Sequence, residues 1–205
     1  MSERGPFQDK PSIRVESLSI SRGGRRLFEK LSFAAASGGY VEVQGSNGSG
    51  KTSLLRAIAG FLKPDSGTIR IEGAEESALA LHYVGHANAL KREDSVGGHL
   101  RYWAGLLGGE ASAEAAAAIL DLTAALSLPV RALSQGQARR LALSRLVIAS
   151  RPIWLLDEPA SSLDAFGKEI LSRLIASHRA EGGLVIAAVH DPLEANPSLA
   201  LRLGA

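Results

Sequence analysis

The sequence predicts an α/β fold: a core of strands alternating with helices, opened by an antiparallel β part and interrupted by a helical insert. Three observations predict it. Tyr40-Val41-Glu42-Val43 reads as a strand that runs into the glycine-rich stretch Gly45-Ser46-Asn47-Gly48-Ser49-Gly50-Lys51-Thr52, and Ser53 to Ala59 reads as the helix leaving it. Ile153-Trp154-Leu155-Leu156 and Leu184 to Val189 are short, wholly apolar runs between polar residues, which suits parallel strands covered on both faces. From about Ser95 to Ser150 the texture changes to alanine and leucine, with Glu114 to Leu126 strongly helix-forming.

Taken in order, residues 1–11 are polar with two prolines and predict a frayed end. Ile13 to Ile20 alternates as a strand, Arg22-Gly23-Gly24-Arg25-Arg26 turns, and Leu27 to Ala35 forms a second strand. Ser37-Gly38-Gly39 turns into the strand at 40–43. Past the first helix, Lys63-Pro64-Asp65-Ser66-Gly67 breaks the pattern. Thr68 to Gly73 then reads as a short edge strand, and Leu79 to Val84 as another that ends at Gly85-His86. Pro129 separates the helix at 114–126 from one that starts after Leu133-Ser134, and Ala165 to Ala180 is the helix between the two apolar strands. The predicted units are a flexible 1–11, an α/β core of 12–94 and 151–205, and a helical subdomain at 95–150.

Composition narrows the setting. The 205 residues suffice for a substantial core. Lys+Arg 23 against Asp+Glu 21 gives a net +2, too balanced to argue for nucleic acid or an acidic membrane surface. With no cysteine, disulfides and thiolate metal sites are excluded, which suits a reducing compartment. No signal-peptide pattern opens the chain, and no apolar run approaches the ~18 residues of a membrane span.

Gly45 to Thr52 fits G-x-x-x-x-G-K-[ST], and the chemistry explains the residue types. A polyphosphate needs many inward N–H groups, and glycine lets the backbone curl around it. Lys51 adds a charge at the β and γ phosphates, the Thr52 hydroxyl is placed to ligate Mg²⁺, and Ser53 opens the helix whose positive end lies under the phosphates. At the end of the apolar strand, Asp157 is the acid that completes a Mg²⁺ shell in such proteins, and Glu158 is the candidate general base for an attacking water. Leu133-Ser134-Gln135-Gly136-Gln137 is a second distinctive stretch. Read alone it is either a capped structural helix or a weak anion site made of a hydroxyl, amides and a helix dipole.

Five motifs in order then carry a resemblance over nearly the whole chain to the ATP-binding subunit of ABC transporters, which has a P-loop NTPase (RecA-like) core. They are the phosphate loop, the Leu133–Gln137 signature, the strand end Leu155–Pro159, the D-loop-like Ser161-Ser162-Leu163-Asp164, and His190 closing the last core strand before Asp191-Pro192. The resemblance implies ATP with Mg²⁺, sandwiched between two copies arranged head to tail. Ser134, Gly136, Gln137 and Asp164 of one copy would then meet the ATP on the phosphate loop of the other. His190 would be the switch histidine that contacts the γ-phosphate and positions water and Glu158. His82, His99 and His178 have no such context.

Gly85-His86-Ala87-Asn88-Ala89-Leu90-Lys91 and Arg22-Gly-Gly-Arg-Arg-Leu-Phe28 resemble a narrower group, the cytochrome c maturation ATPases of the haem exporter (CcmA) group. Three departures from the wider family accompany it. His86 stands where a glutamine near Mg²⁺ is usual, Arg22 where an adenine-stacking aromatic is usual, and Gln135 where glycine is usual; a guanidinium plane is able to stack on a base. The group implies integral membrane partner subunits and a place on the cytoplasmic face of the bacterial inner membrane. Nothing in the residues binds haem, since Cys-x-x-Cys-His is absent. The alternatives are an ABC ATPase with another cargo and a soluble ABC ATPase of the chromosome-maintenance type. The latter needs long coiled coils for which 95–150 has no space. A GTP switch is disfavoured because Lys63-x-Asp65 lacks the preceding Asn or Thr of a guanine reader.

Overall fold

The computed structural model describes residues 7, 10–73, 81–109, 111–190, 193 and 195–204. Most of the 1–11 segment, the start of the strand expected at Leu79-Ala80, and Asp191-Pro192 after His190 lie outside them. β1 (Ser12–Arg22) and β2 (Arg25–Ala35) form a hairpin closed through Gly23 and Gly24, both at positive φ, as a tight primed turn requires. β4 (Ser66–Glu72) pairs with the other side of β1, so the order β2-β1-β4 leaves β4 on the edge, as read from the sequence.

The second sheet is parallel in every pairing, with order β5-β6-β7-β3-β8. Its strands are β3 (Tyr40–Gln44), β5 (Leu81–Val84), β6 (Ile153–Asp157), β7 (Leu184–Ala188) and β8 (Leu199–Arg202). β6 and β7 are buried at every position, which is why β7 and all of β6 up to the terminal Asp157 are apolar. Alternation along these strands divides the interior into two cores. Val41, Val43, Ile153, Leu155, Leu184, Ile186 and Ala188 face a core shared with α1 (Lys51–Ile58) and the inner side of β1. Tyr40, Trp154, Leu156, Val185 and Ala187 face the other core, shared with α6 (Ala165–Ala180) and the helices between β5 and β6.

Those helices are α2 (Val96–Leu107), α3 (Ala113–Ile119), α4 (Gln135–Ala142) and α5 (Ser144–Ile148). The helix expected over Glu114 to Leu126 is shorter than its alanine content predicts. α3 ends at Ile119, Asp121 takes φ +52°, and Thr123–Ala125 is a separate 3₁₀ turn. The reason is tertiary: Arg140 Nη1 donates to Leu120 O (2.9 Å), Asp121 O (3.0 Å) and Asp121 Oδ2 (2.8 Å), capturing carbonyls that would have carried the helix on. β8 and α2 were not read from the sequence. β8 is a four-residue edge strand with alternating burial, and α2 carries two glycines in its first turn.

Candidate active site

β3 ends at Gln44, and the chain must reverse at once into α1. Gly45 at φ +150° and Gly50 at φ +104° make that possible. A Cβ on Gly45 would lie 2.6 Å from Leu203 O, and one on Gly50 would lie 3.0 Å from the Phe28 ring. α1 has no side-chain cap, so its first-turn amides are left without intrahelical partners. Ser49 Oγ is buried with no hydrogen-bond partner. Lys51 is 6% exposed, and its ammonium folds across the loop and donates to Gly45 O at 2.7 Å and Ser46 O at 3.4 Å. An orphaned hydroxyl, uncapped amides and a bent-back lysine are the features that a polyphosphate would satisfy together.

Thr52, on the first turn of α1, meets the end of β6. Its Oγ1 donates to Asp157 Oδ1 at 3.0 Å, and Tyr83 Oη lies 3.5 Å from Asp157 Oδ2. Among the described residues no cluster of three metal-ligating side chains exists. One hydroxyl and one carboxylate suit Mg²⁺, which keeps waters and takes its other ligands from substrate phosphates.

Glu158 follows with φ +49°, a left-handed backbone costing a non-glycine residue about 1–3 kcal/mol. Its N–H donates to Ala188 O at 2.9 Å, and its Oε2 lies 3.3 Å from His86 Nδ1. The structure thus brings His86, expected beside the metal, against the carboxylate of Glu158. A cavity of about 490 Å³ is lined by Glu158, Ser161, Lys168, Glu169, His190 and Leu193 among others, so His190 and Glu158 share one opening.

The signature stretch is a complete capping box. Ser134 Oγ accepts from Gln137 N–H at 3.1 Å, and Ser134 N–H donates to Gln137 Oε1 at 2.9 Å. Gln137, expected at a nucleotide, therefore has its side chain engaged within its own helix. Ser134 and Gln135 are exposed, and a Cβ on Gly136 would lie 3.2 Å from Ser162 O, which sets the signature beside the loop at 161–164. Asp164 likewise caps its own helix, accepting from Gly167 N–H at 2.8 Å. Arg22 is exposed at the end of β1, while Phe28 is the aromatic that packs on Gly50.

Sequence reading missed Arg139. Its guanidinium is 1% exposed and donates to six acceptors, among them the carbonyls of Asp157 (3.0 Å), Glu158 (2.8 Å) and Pro159 (3.1 Å). The signal was the Arg139-Arg140 pair set directly before the apolar Leu141-Ala142-Leu143. The three unassigned histidines are structural. His82 Nε2 lies 2.8 Å from Ala149 O, His178 stacks on Trp154 at 3.8 Å, and the Trp103 indole donates to His99 Nε2 at 2.7 Å. Burial pushes the imidazoles of His82 and His178 down to about 4.

Comparison with known proteins places this geometry. A family profile described as ABC transporter matches residues 28–161. The cytochrome c biogenesis ATP-binding export protein CcmA of Rhodopseudomonas palustris strain BisB5 is 49% identical over 180 residues, covering 86% of this chain and 90% of that protein. The protein of the same name from Bradyrhizobium diazoefficiens strain USDA 110 is 50% identical over 188 residues, covering 89% and 93%. In three dimensions, a candidate ABC transporter ATP-binding protein of Pyrococcus furiosus superposes with a TM-score of 0.79 at 24% identity, over 94% of this chain and 97% of that one, a likeness of fold alone. With the loop, the Thr52–Asp157 contact and the capped signature helix in the family's order, the chain belongs to the ABC transporter family and, within it, to the group of ATP-binding export proteins called CcmA.

Proposed function

We propose that this ATPase works as a head-to-tail pair, closing on two ATP molecules and energising membrane subunits in haem handling for cytochrome c maturation. The observation that carries the reading is the pairing of an uncapped α1 N-terminus with an exposed, fully capped α4 N-terminus on one chain. Both ends are positively polarised, so neither can satisfy the other directly; one polyphosphate between the α1 end of one copy and the Ser134 end of its partner would satisfy both. Gly45 to Ser53 holds the phosphates, while Ser134, Gly136, Gln137 and Asp164 approach the same ATP from the partner. Arg22 lies at the base end. Thr52 and Asp157 would hold Mg²⁺, which when bound would offset charge on the phosphate oxygens. Glu158 takes the proton of the attacking water, His190 steadies that water from the shared opening, and His86 orients the Glu158 carboxylate beside the site where Mg²⁺ would bind.

The helical stretch at 95–150 carries the signature as one unit, and the α/β core at 12–94 with 151–205 carries the phosphate loop as the other. Among the described residues no helix is long and apolar enough to cross a membrane. In this reading the chain sits on the cytoplasmic face of the inner membrane, held by partner subunits. The 49–50% identity to cytochrome c biogenesis export proteins supports the cargo system. Purification from native membranes is the test. Recovery of small haem-handling membrane subunits is expected, and recovery of a large permease for another cargo would overturn the assignment.

A further inference from the structure

Arg139 lies one turn along α4 from Ser134, on the side turned toward β6. All five of its N–H groups find acceptors. Nε donates to Pro159 O, Nη2 to Asp157 O and Glu158 O, and Nη1 to Gly85 O at 2.9 Å and Asn88 Oδ1 at 3.0 Å, with His86 O further off at 3.5 Å. One rigid fork therefore grips both backbones that converge on the His86–Glu158 contact: the strand end carrying Glu158 and the loop carrying His86. Arg145 of α5 ties the same loop, donating to Asn88 O at 3.1 Å. The grip falls on the residue with the left-handed φ of +49°, a conformation that persists only where its surroundings impose it.

We propose that Arg139 is a positioning residue that ties the Ser134 end of α4 to the Glu158 carboxylate, so that whatever docks on the signature sets the general base of the same subunit. It rests on the head-to-tail reading above. ATP held by one copy presses on Ser134 of its neighbour, α4 moves as a rigid body, and Arg139 carries that movement to Asp157, Glu158 and His86. Two ATP sites are thereby coupled through one side chain per subunit. Arg140, next on the helix, reaches Leu120 and Asp121 instead, and none of these bonds touches the Glu158 strand end or the His86 loop.

The test compares full-length R139K and R139Q with R140K, measuring the affinity for a fluorescent ATP analogue, kcat per bound nucleotide, and the Hill coefficient for ATP. Lysine and glutamine cannot span the five acceptors. The expected result is a fall in kcat of about tenfold or more, a Hill coefficient near 1, and nucleotide affinity within about threefold of wild type. R140K is expected to lower the melting temperature while keeping kcat per bound nucleotide and cooperativity. Wild-type kcat and cooperativity in R139K, or the same losses in R140K, overturn the proposal. A wild-type chain that hydrolyses ATP without cooperativity and stays monomeric overturns the head-to-tail reading and the coupling with it. Cooperative wild-type dimers beside an unaffected R139K overturn the coupling alone.

Discussion

Thr52 Oγ1 donates to Asp157 Oδ1 at 3.0 Å across a sequence separation of 105 residues. The contact joins the first turn of the phosphate-loop helix to the end of a central strand, and Asp157 is 2% exposed. Its geometry places a hydroxyl and a carboxylate oxygen side by side, a donor pair that would suit Mg²⁺. Thr52→Val keeps the shape and removes the ligand. The expected outcome is a rise of about tenfold or more in the Mg²⁺ concentration for half-maximal ATPase activity, with nucleotide binding in EDTA unchanged. An unchanged Mg²⁺ requirement would remove Thr52 from the metal site.

Lys51 is buried and, among the described residues, hydrogen-bonded to the carbonyls of its own loop, so its charge is held ready for an anion. Lys51→Ala is expected to weaken binding of a fluorescent ATP analogue by about tenfold or more, since charge-assisted bonds contribute about 1.5–3 kcal/mol. Equal affinity in equilibrium titration would contradict the role of the loop.

Glu158 combines a left-handed backbone with a carboxylate 3.3 Å from His86 Nδ1. Glu158→Gln is expected to slow turnover about 10²–10⁴-fold with ATP binding intact, the span for loss of a general base. A near-normal kcat would assign the proton transfer elsewhere.

Ser134 is exposed and its hydroxyl is already an acceptor for Gln137 N–H, so two separable effects are expected there. Ser134→Ala costs about 1 kcal/mol of helix stability through loss of the cap. Ser134→Arg is expected to block ATP-dependent dimers of the Glu158→Gln chain in sedimentation, while the monomer keeps its ATP affinity. Normal dimers would free the signature from the partner's nucleotide.

The legible parts of this molecule are those whose physics is local. The apolar run Ile153–Leu156 of β6, the wholly apolar β7, the glycine positions of the phosphate loop, the Ser134 cap and the helix at Ala165–Ala180 all follow from short-range pattern. What stayed hidden depends on distant partners. α3 stops because Arg140 takes the carbonyls of Leu120 and Asp121. His86 faces Glu158 because Arg139 and Arg145 fix its loop from another element. Phe28 reaches Gly50 because the hairpin folds over the loop. An arginine inside a helical run reads as surface until the carbonyls that surround it are known.

Two buried imidazoles set the response to acid. His82 and His178 are each about 4% exposed, and burial, the largest cause, lowers both from 6.5 to about 4, with His178 flat against Trp154. In the unfolded chain they bind protons near pH 6.5, while in the folded chain they stay neutral to about pH 4. Between those values the unfolded state holds more protons, so stability is full above about 6.5 and is lost progressively as the pH falls toward 4. At about 1.4 kcal/mol per unit, the loss is at most roughly 3 kcal/mol for each histidine. His178→Phe keeps an aromatic on Trp154 but cannot be protonated. Its urea midpoint is expected to fall less between pH 7 and 4 than that of the wild type, with the difference opening below about pH 6. Parallel pH profiles for the two chains would show that His178 is not a source of the acid sensitivity.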